Sequence, residues 1–367
     1  MLTIVNRDSN PSNGTMRAGI LHGAKDLRCG LAAIPEPAPG LVLLRVRRVG
    51  ICGSDMHYFE HGCCGAFVPS RPFIMGHELT AEVVAANGEA GEALIGSRVT
   101  VNPARACGFC DYCKAGRGNL CRKTIMLGSA STTPPTDGAF AEYVTVRADQ
   151  CHVLPPGMSD GLGAMMEPFA VALHAVKRAG SVAGKRVLVT GGGPIGLLVL
   201  ITARAFGATP VALSDVVEGR RQSALGFGAD TVLDPASDQI AAQVRELTGD
   251  GFDVVFEASG APPALRQAFE LVRPGGTIVQ IGTLGTADVP LPANQLMVRE
   301  IQFIGSFRYG NVFDEAIRLA ASGRVDLEPL ISEVFPLEEF PKAMQRAFAK
   351  DDVIKVQIQI NETQNPA

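Results

Sequence analysis

Long apolar runs are missing from this chain of 367 residues. The longest, Ile195 to Ala203, is interrupted by Thr202 and followed by Arg204, and is about half the length of a membrane span. The first fifteen residues, MLTIVNRDSNPSNGT, have no apolar core of the kind a secretion signal needs. They are expected to form a flexible tail, or an extension ahead of a start at Met16. Neither sign of charge is in excess: 33 Lys+Arg against 37 Asp+Glu give a net charge of −4. That leaves no basic footprint for nucleic acid or anionic lipid. Cysteine is scarce, with nine in all, too few for a secreted scaffold stapled by disulfides. With 46% apolar and 19% charged residues, the chain is not a disordered one either. The absences together predict a soluble cytoplasmic protein whose thiols stay reduced.

Glycine is plentiful, 41 of 367, or about 11% against a usual ~7%. Such an excess without repeats implies tight turns and close backbone approaches. The length suggests two domains, and the pattern changes accordingly. Up to about Gly161, short apolar segments separated by Gly/Pro turns (41–49, 79–85, 98–102, 139–146) predict a β-rich, barrel-like domain. From about Gly184 the reading alternates. Strands at 186–190, 210–214, 253–258 and 277–281 enclose helices at 194–206, 219–227 and 263–272. Such βα repetition predicts an open parallel sheet with helices on both faces, an α/β doubly wound fold. After about Gly305 a helix near 311–322 and a strand at 353–360 are expected.

The segment Gly191-Gly-Gly193-Pro-Ile195-Gly196 directly follows the strand RVLVT and opens a helix. It matches G-x-G-x-x-G: one glycine for the turn, one for close approach to a pyrophosphate, one for helix–strand packing. The helix N-terminus offers free N–H groups to phosphate. The next strand ends in Asp215, placed to accept hydrogen bonds from the adenosine ribose and to repel a 2′-phosphate. NAD is therefore favoured; Arg220 and Arg221 keep NADP open.

Four cysteines fall within fifteen residues, Cys107, Cys110, Cys113 and Cys121. Thiolates at this spacing can close a tetrahedral structural Zn²⁺ site, with an iron–sulfur cluster the rival. A second constellation is scattered: Cys52 in GICGSDMH, His77-Glu78 in MGHEL and Glu167 in MMEP. Thiolate, imidazole and carboxylate with one position left for water or substrate suit a catalytic zinc. Cys29, Cys63, Cys64 and Cys151 have no ligand spacing and read as packing or surface thiols. His22, His152 and His174 read as structural. His61 follows the zinc cysteine closely enough to rim a cleft. The arginines of 45–48 read as a solvated strand face.

In these motifs the chain resembles the zinc-dependent medium-chain alcohol dehydrogenases, above all the polyol branch of sorbitol, xylitol and L-idonate 5-dehydrogenases. The carrying segments are GICGSDMHYF, MGHE, NPARACGFCDYCKAGRGNLC, MEPFAVALHA, GGGPIG and GSFRYGN. MLGSASTTPPTDGAFAEY tilts toward the L-idonate type. The resemblance implies a GroES-like catalytic domain from 16–165 and 305–367, with a Rossmann domain, 166–304, inserted in it. It implies two zinc ions and NAD, or NADP, per chain. Cys52, His77 and either Glu78 or Glu167 would hold the catalytic zinc. Ser54 and His57 match a proton relay. Tyr58, Glu167, Arg308 and Tyr309 match polyol-contacting positions. Ile195, Asp215, Arg220, Ile281, Gly282, Thr283, Phe307 and Arg308 match positions lining the cofactor. The implied activity is reversible oxidation of a secondary hydroxyl of a polyol or sugar acid by a dimer or tetramer. Threonine or 2,3-butanediol is the alternative substrate class, and a non-catalytic dinucleotide binder is disfavoured by the retained ligands.

Overall fold

A computed structural model describes residues 3–4, 14–285, 287–349 and 353–361. Of the stretch expected as a tail, Thr3 and Ile4 pair antiparallel with Ala86 and Ala85, and residues 1–2 and 5–13 lie outside the described residues.

The N-terminal part opens with β1 (Thr15–Gly23) and β2 (Asp26–Ala33), an antiparallel pair. β3 (Leu41–Gly50) follows, and alternate residues of its first half are buried, as a half-buried strand requires. Next come α1 (Gly53–His61), β4 (Glu78–Ala86), β5 (Arg98–Val101), β6 (Tyr143–Arg147), β7 (Cys151–Val153) and helix α2 (Met166–Arg178). Residues 53–61 form a helix for which no element was read from the sequence. Residues 139–142 are not strand, because the chain there runs tight against 75–76: the Ala139 and Phe140 amides donate to Gly76 and Met75 carbonyls at 2.9 and 3.0 Å.

The second part holds β8 (Val187–Thr190), α3 (Pro194–Ala205), β9 (Val211–Ser214), α4 (Glu218–Gly226), β10 (Thr231–Leu233), β11 (Phe252–Glu257), α5 (Pro262–Leu271), β12 (Val272–Gln280) and β13 (Gln302–Gly305). Its six strands are all parallel, in the order β10-β9-β8-β11-β12-β13. β8 and β9 are buried at every position, which is why VLVT and VALS read as continuous apolar runs. α3 is apolar on nearly all sides and correspondingly buried.

The chain then returns to the first part through α6 (Phe313–Ala321), β14 (Ile331–Pro336), α7 (Phe340–Ala347) and β15 (Lys355–Gln359). β15 pairs antiparallel with β3 and parallel with β14, so the last described strand lies inside the sheet β7-β5-β4-β3-β15-β14. The fold is thus a parallel Rossmann-like α/β sheet joined to a β-rich GroES-like unit built from both chain ends. No helix among the described residues is long and apolar enough to cross a membrane.

The arginines of β3 are not a solvated face. Arg47 is 4% exposed, and Arg45 and Arg47 both donate to Glu82 on neighbouring β4. That carboxylate supplies the counter-charge, and two of its cations hold it below the usual carboxylate range against the cost of burial.

Candidate active site

Cys52 caps the N-terminus of α1, and its backbone N–H donates to Asp55 Oδ2 at 2.9 Å. Asp55 is fully buried. Its Oδ1 accepts the Gly76 amide at 3.3 Å and lies 4.0 Å from His77 Nδ1. One carboxylate therefore ties together the backbone at Cys52 and at Gly76, next to His77, and sets a negative charge beside that imidazole. His77 and Glu78 sit where β4 begins. Glu78 accepts two hydrogen bonds from Lys355 Nζ, at 2.9 and 2.8 Å, and Lys355 also donates to the Ile51 carbonyl at 3.0 Å. Gly50 makes this possible: a Cβ there would stand 2.1 Å from Glu78 Oε2.

Side-chain donor atoms of Cys52, His77 and Glu78 all lie within 4.8 Å of one another. Glu167, on the first turn of α2, is not part of this set. Burial pushes its carboxyl up to about 7, with His77 opposing and Glu78 reinforcing. Burial alone would lower the His77 pKa, yet Cys52, Asp55 and Glu167 hold it well above its ordinary value. Several acidic groups against one ammonium make this a pocket for positive charge. His77 Nδ1 and the Tyr309 hydroxyl are buried without hydrogen-bond partners. The donor set and these orphaned atoms fit a zinc ion with a polar ligand beside it.

Ser54 and His57 lie one turn apart on α1, Ser54 half-buried and His57 exposed. Tyr58 is packed in the barrel core, its hydroxyl 3.3 Å from Ser129 Oγ and accepting the Ala130 amide at 3.0 Å. Tyr309 is buried with its hydroxyl facing Glu167, and burial and that carboxylate raise its pKa well above the ordinary value. Arg308 has a left-handed backbone, φ 53°, and its guanidinium covers the exposed Phe307 ring at 4.8 Å.

The second cysteine group, Cys107, Cys110, Cys113 and Cys121, is also brought together. Sγ–Sγ separations of 3.8 Å (Cys107–Cys113) and 3.5 Å (Cys110–Cys113) match the ~3.8 Å edge of a tetrahedron with ~2.3 Å metal–sulfur bonds. Against the cost of burial, amides of Cys107 and Lys123 bring the Cys121 thiol down to about 6. Two residues earlier, Asn119 Nδ2 donates to the Phe307 carbonyl at 3.0 Å, tying this lobe to the segment that carries Arg308 and Tyr309.

In the parallel sheet, Gly191 turns with φ 95° and Gly193 caps α3. A Cβ at Gly196 would lie 1.8 Å from the Gly191 carbonyl, whereas one at Gly193 would meet nothing within 4 Å. The loop is closed on itself at Gly196 and open at Gly193, as a pyrophosphate cradle must be. Ile195 is half-buried on the first turn of α3. Asp215 follows β9; its Oδ2 accepts the Gly192 amide at 2.7 Å and its Oδ1 the Val217 amide at 2.8 Å. Arg220 stands 3.8 Å from it. Ile281, Gly282 and Thr283 follow β12 opposite the loop 258–260, which the buried Glu257 holds by accepting the Ser259 and Gly260 amides at 2.9 and 3.1 Å.

Two residues outside the sequence-derived set matter here. Asp55 stood within GSDMH but offered no ligand spacing. Lys355 carried a readable signal, a lone lysine in an otherwise apolar and amide-bearing strand, yet its partner is 277 residues away.

A dinucleotide cradle beside a buried thiol–imidazole–carboxylate set, with a separate four-cysteine lobe, defines a zinc-type, nicotinamide-dependent alcohol dehydrogenase. The comparisons agree. Residues 38–156 match the family model "Alcohol dehydrogenase GroES-like domain" and 194–322 match "Zinc-binding dehydrogenase". The sorbitol dehydrogenase of Bacillus subtilis is 35% identical over 94% of this chain and 98% of its own. That of Gallus gallus is 37% identical over 97% and 99%. The crystal structure of L-idonate 5-dehydrogenase from Escherichia coli superposes with a TM-score of 0.88 at 33% identity, covering 94% of this chain and 98% of that one. The chain belongs to the zinc-dependent medium-chain alcohol dehydrogenase family and is related to its sorbitol and L-idonate dehydrogenases. It is an NAD(P)-dependent oxidoreductase acting on a secondary alcohol.

Proposed function

We propose that the substrate is a polyol or sugar acid, with an L-idonate 5-dehydrogenase-type reaction favoured, and that NAD is the preferred cofactor. The observation that carries this reading is the pair Glu167–Tyr309, two buried polar side chains facing the thiol–imidazole–carboxylate set. The buried Tyr309 hydroxyl has no partner within hydrogen-bond geometry, which an apolar alcohol would leave unmet and a chain of hydroxyls can meet. When bound, zinc lowers the pKa of a substrate hydroxyl and the nicotinamide accepts the hydride.

The protein's own residues do the rest. Cys52, His77 and Glu78 hold the catalytic zinc, and Glu167 orients the hydroxyl or its water. Cys107, Cys110, Cys113 and Cys121 hold the second, structural ion. Ser54 takes the hydroxyl proton, and His57 passes it to solvent from the exposed face of α1. Tyr309 and Arg308 form the wall against the rest of the substrate, with Tyr58 held back in the barrel core by Ser129 and Ala130, and Arg308 can pair with an aldonate carboxylate. Gly191, Gly193, Ile195 and Gly196 receive the pyrophosphate, and Asp215 with Arg220 the adenosine ribose. Ile281, Gly282, Thr283 and Phe307 line the nicotinamide half. Asp215 presents a negative charge where NADP would carry its 2′-phosphate, which favours NAD. In this reading residues 166–304 bind the cofactor, and 16–165 with 305–367 hold zinc and substrate. We place the enzyme in the cytoplasm as a homodimer or homotetramer.

Initial rates on sorbitol, xylitol, L-idonate, threonine and 2,3-butanediol with NAD and with NADP test the reading. Highest kcat/KM is expected for L-idonate or a polyol with NAD; highest kcat/KM for threonine or butanediol would overturn it.

A further inference from the structure

We propose that His57 and His61 form an additional, inhibitory metal site on α1, selective for divalent transition ions such as zinc, nickel or copper. The two residues are four apart on a nine-residue helix, so their side chains share one face. Both are exposed, and their ring centroids lie 5.9 Å apart at an interplanar angle of 33°. A metal bound tetrahedrally at ~2.0–2.1 Å to one nitrogen of each ring sets the centroids about 5 Å apart. Rotation of two exposed side chains closes that difference.

Three further features favour a cation there. Neither imidazole has a hydrogen-bond or ion-pair partner among the described residues, in contrast to His152, which meets Asp314 at 2.7 Å. His61 stands in the last turn of α1, where the helix presents its negative end. Imidazole is the ligand of choice for zinc, nickel and copper, and the hard cations magnesium and calcium prefer oxygen. The site shares no ligand with the Cys52, His77 and Glu78 set.

The consequence for turnover follows from position and rests on the role proposed for His57. His57 lies one turn from Ser54, so an ion held between His57 and His61 removes the lone pair that would carry the proton to solvent. Resident zinc stays in place while excess metal stops the enzyme.

The test uses the zinc-loaded enzyme, with Ni²⁺ as the probe, and compares wild type with H61A. Equilibrium dialysis should find one Ni²⁺ per wild-type chain beyond the resident zinc, and about a hundredfold weaker binding in H61A, since losing one of two linked imidazoles removes the chelate advantage. Wild-type turnover should fall with the same midpoint and recover on adding free histidine, with zinc content unchanged by elemental analysis. Equal Ni²⁺ binding by wild type and H61A, or inhibition accompanied by loss of resident zinc, overturns the site. Binding that is lost in H61A but leaves wild-type turnover untouched refutes the inhibition and, with it, the relay role of His57, while a failed substrate assignment leaves the dialysis result intact.

Discussion

A carboxylate as buried as Glu78, 1% exposed, costs several kcal/mol unless a cation meets it. Lys355, itself 3% exposed, supplies that cation through two hydrogen bonds. K355M is therefore expected to lower stability by about 3–5 kcal/mol, the usual result of stranding one partner of a buried pair. Chemical denaturation of the single variant and of E78Q/K355M checks this, because the double variant, with no stranded charge, should recover most of the loss. The adjacent residues of the site were legible in sequence because each stood in a short motif: Cys52 with Ser54 and His57, His77 with Glu78. Arg47 was not, and Lys355 showed only as a lone lysine in an apolar strand, since what makes each one buried is a carboxylate on another strand, and local pattern carries no record of that partner.

At the scale of elements, the glycine loop separates packing from binding. Gly196 is needed because α3 touches the turn that precedes it, and Gly193 because something else must come close. G196A should destabilise the fold by about 3 kcal/mol through overpacking against a carbonyl. G193A should leave the melting temperature within a few degrees of wild type and weaken NADH binding roughly tenfold or more, read by the change in NADH fluorescence on titration. Strands β8, β9, β11 and β12 and helices α3, α4 and α5 were readable because strands buried on both faces alternate with helices, whereas β10 and β13, three and four residues long and only partly buried, and the helix Ile240–Thr248 were not. α7 and β14 escaped: α7 is eight residues long with Pro341 in its first turn, and β14 alternates half-buried and exposed positions without a strong apolar core.

Across the whole molecule, the two candidate metal clusters are proposed to divide between chemistry and cohesion. C52A is expected to retain its fold, one zinc and no turnover. C107A should lose the other zinc and drop in melting temperature, because structural zinc contributes directly to folding; elemental analysis with calorimetry separates the two. Acid stability has a different origin. Burial works against ionised Asp253, yet Arg186 and Arg273, at 2.9 and 2.6 Å, hold its carboxyl well below the usual range. Its unfolded pKa lies near the ordinary value of about 3.9, so this contribution is complete above that pH and is lost as pH falls below it. D253N should cost about 2 kcal/mol at neutral pH and flatten the acid limb of the stability profile below about pH 4, measured by denaturation across pH.

The strand β15 gives the site a place in time as well as in space. A ribosome releases Cys52, His77, Glu78 and Glu167 early, before the parallel sheet exists, and releases Lys355 277 residues after Glu78. Until then the barrel sheet lacks the strand that joins β3 to β14, and Glu78 has no cation to accompany it inward. Burial of the Glu78 carboxylate with its cation therefore waits until residue 355 has been made. A chain that stops short of residue 355 keeps every predicted zinc ligand and loses the means to bury one of them.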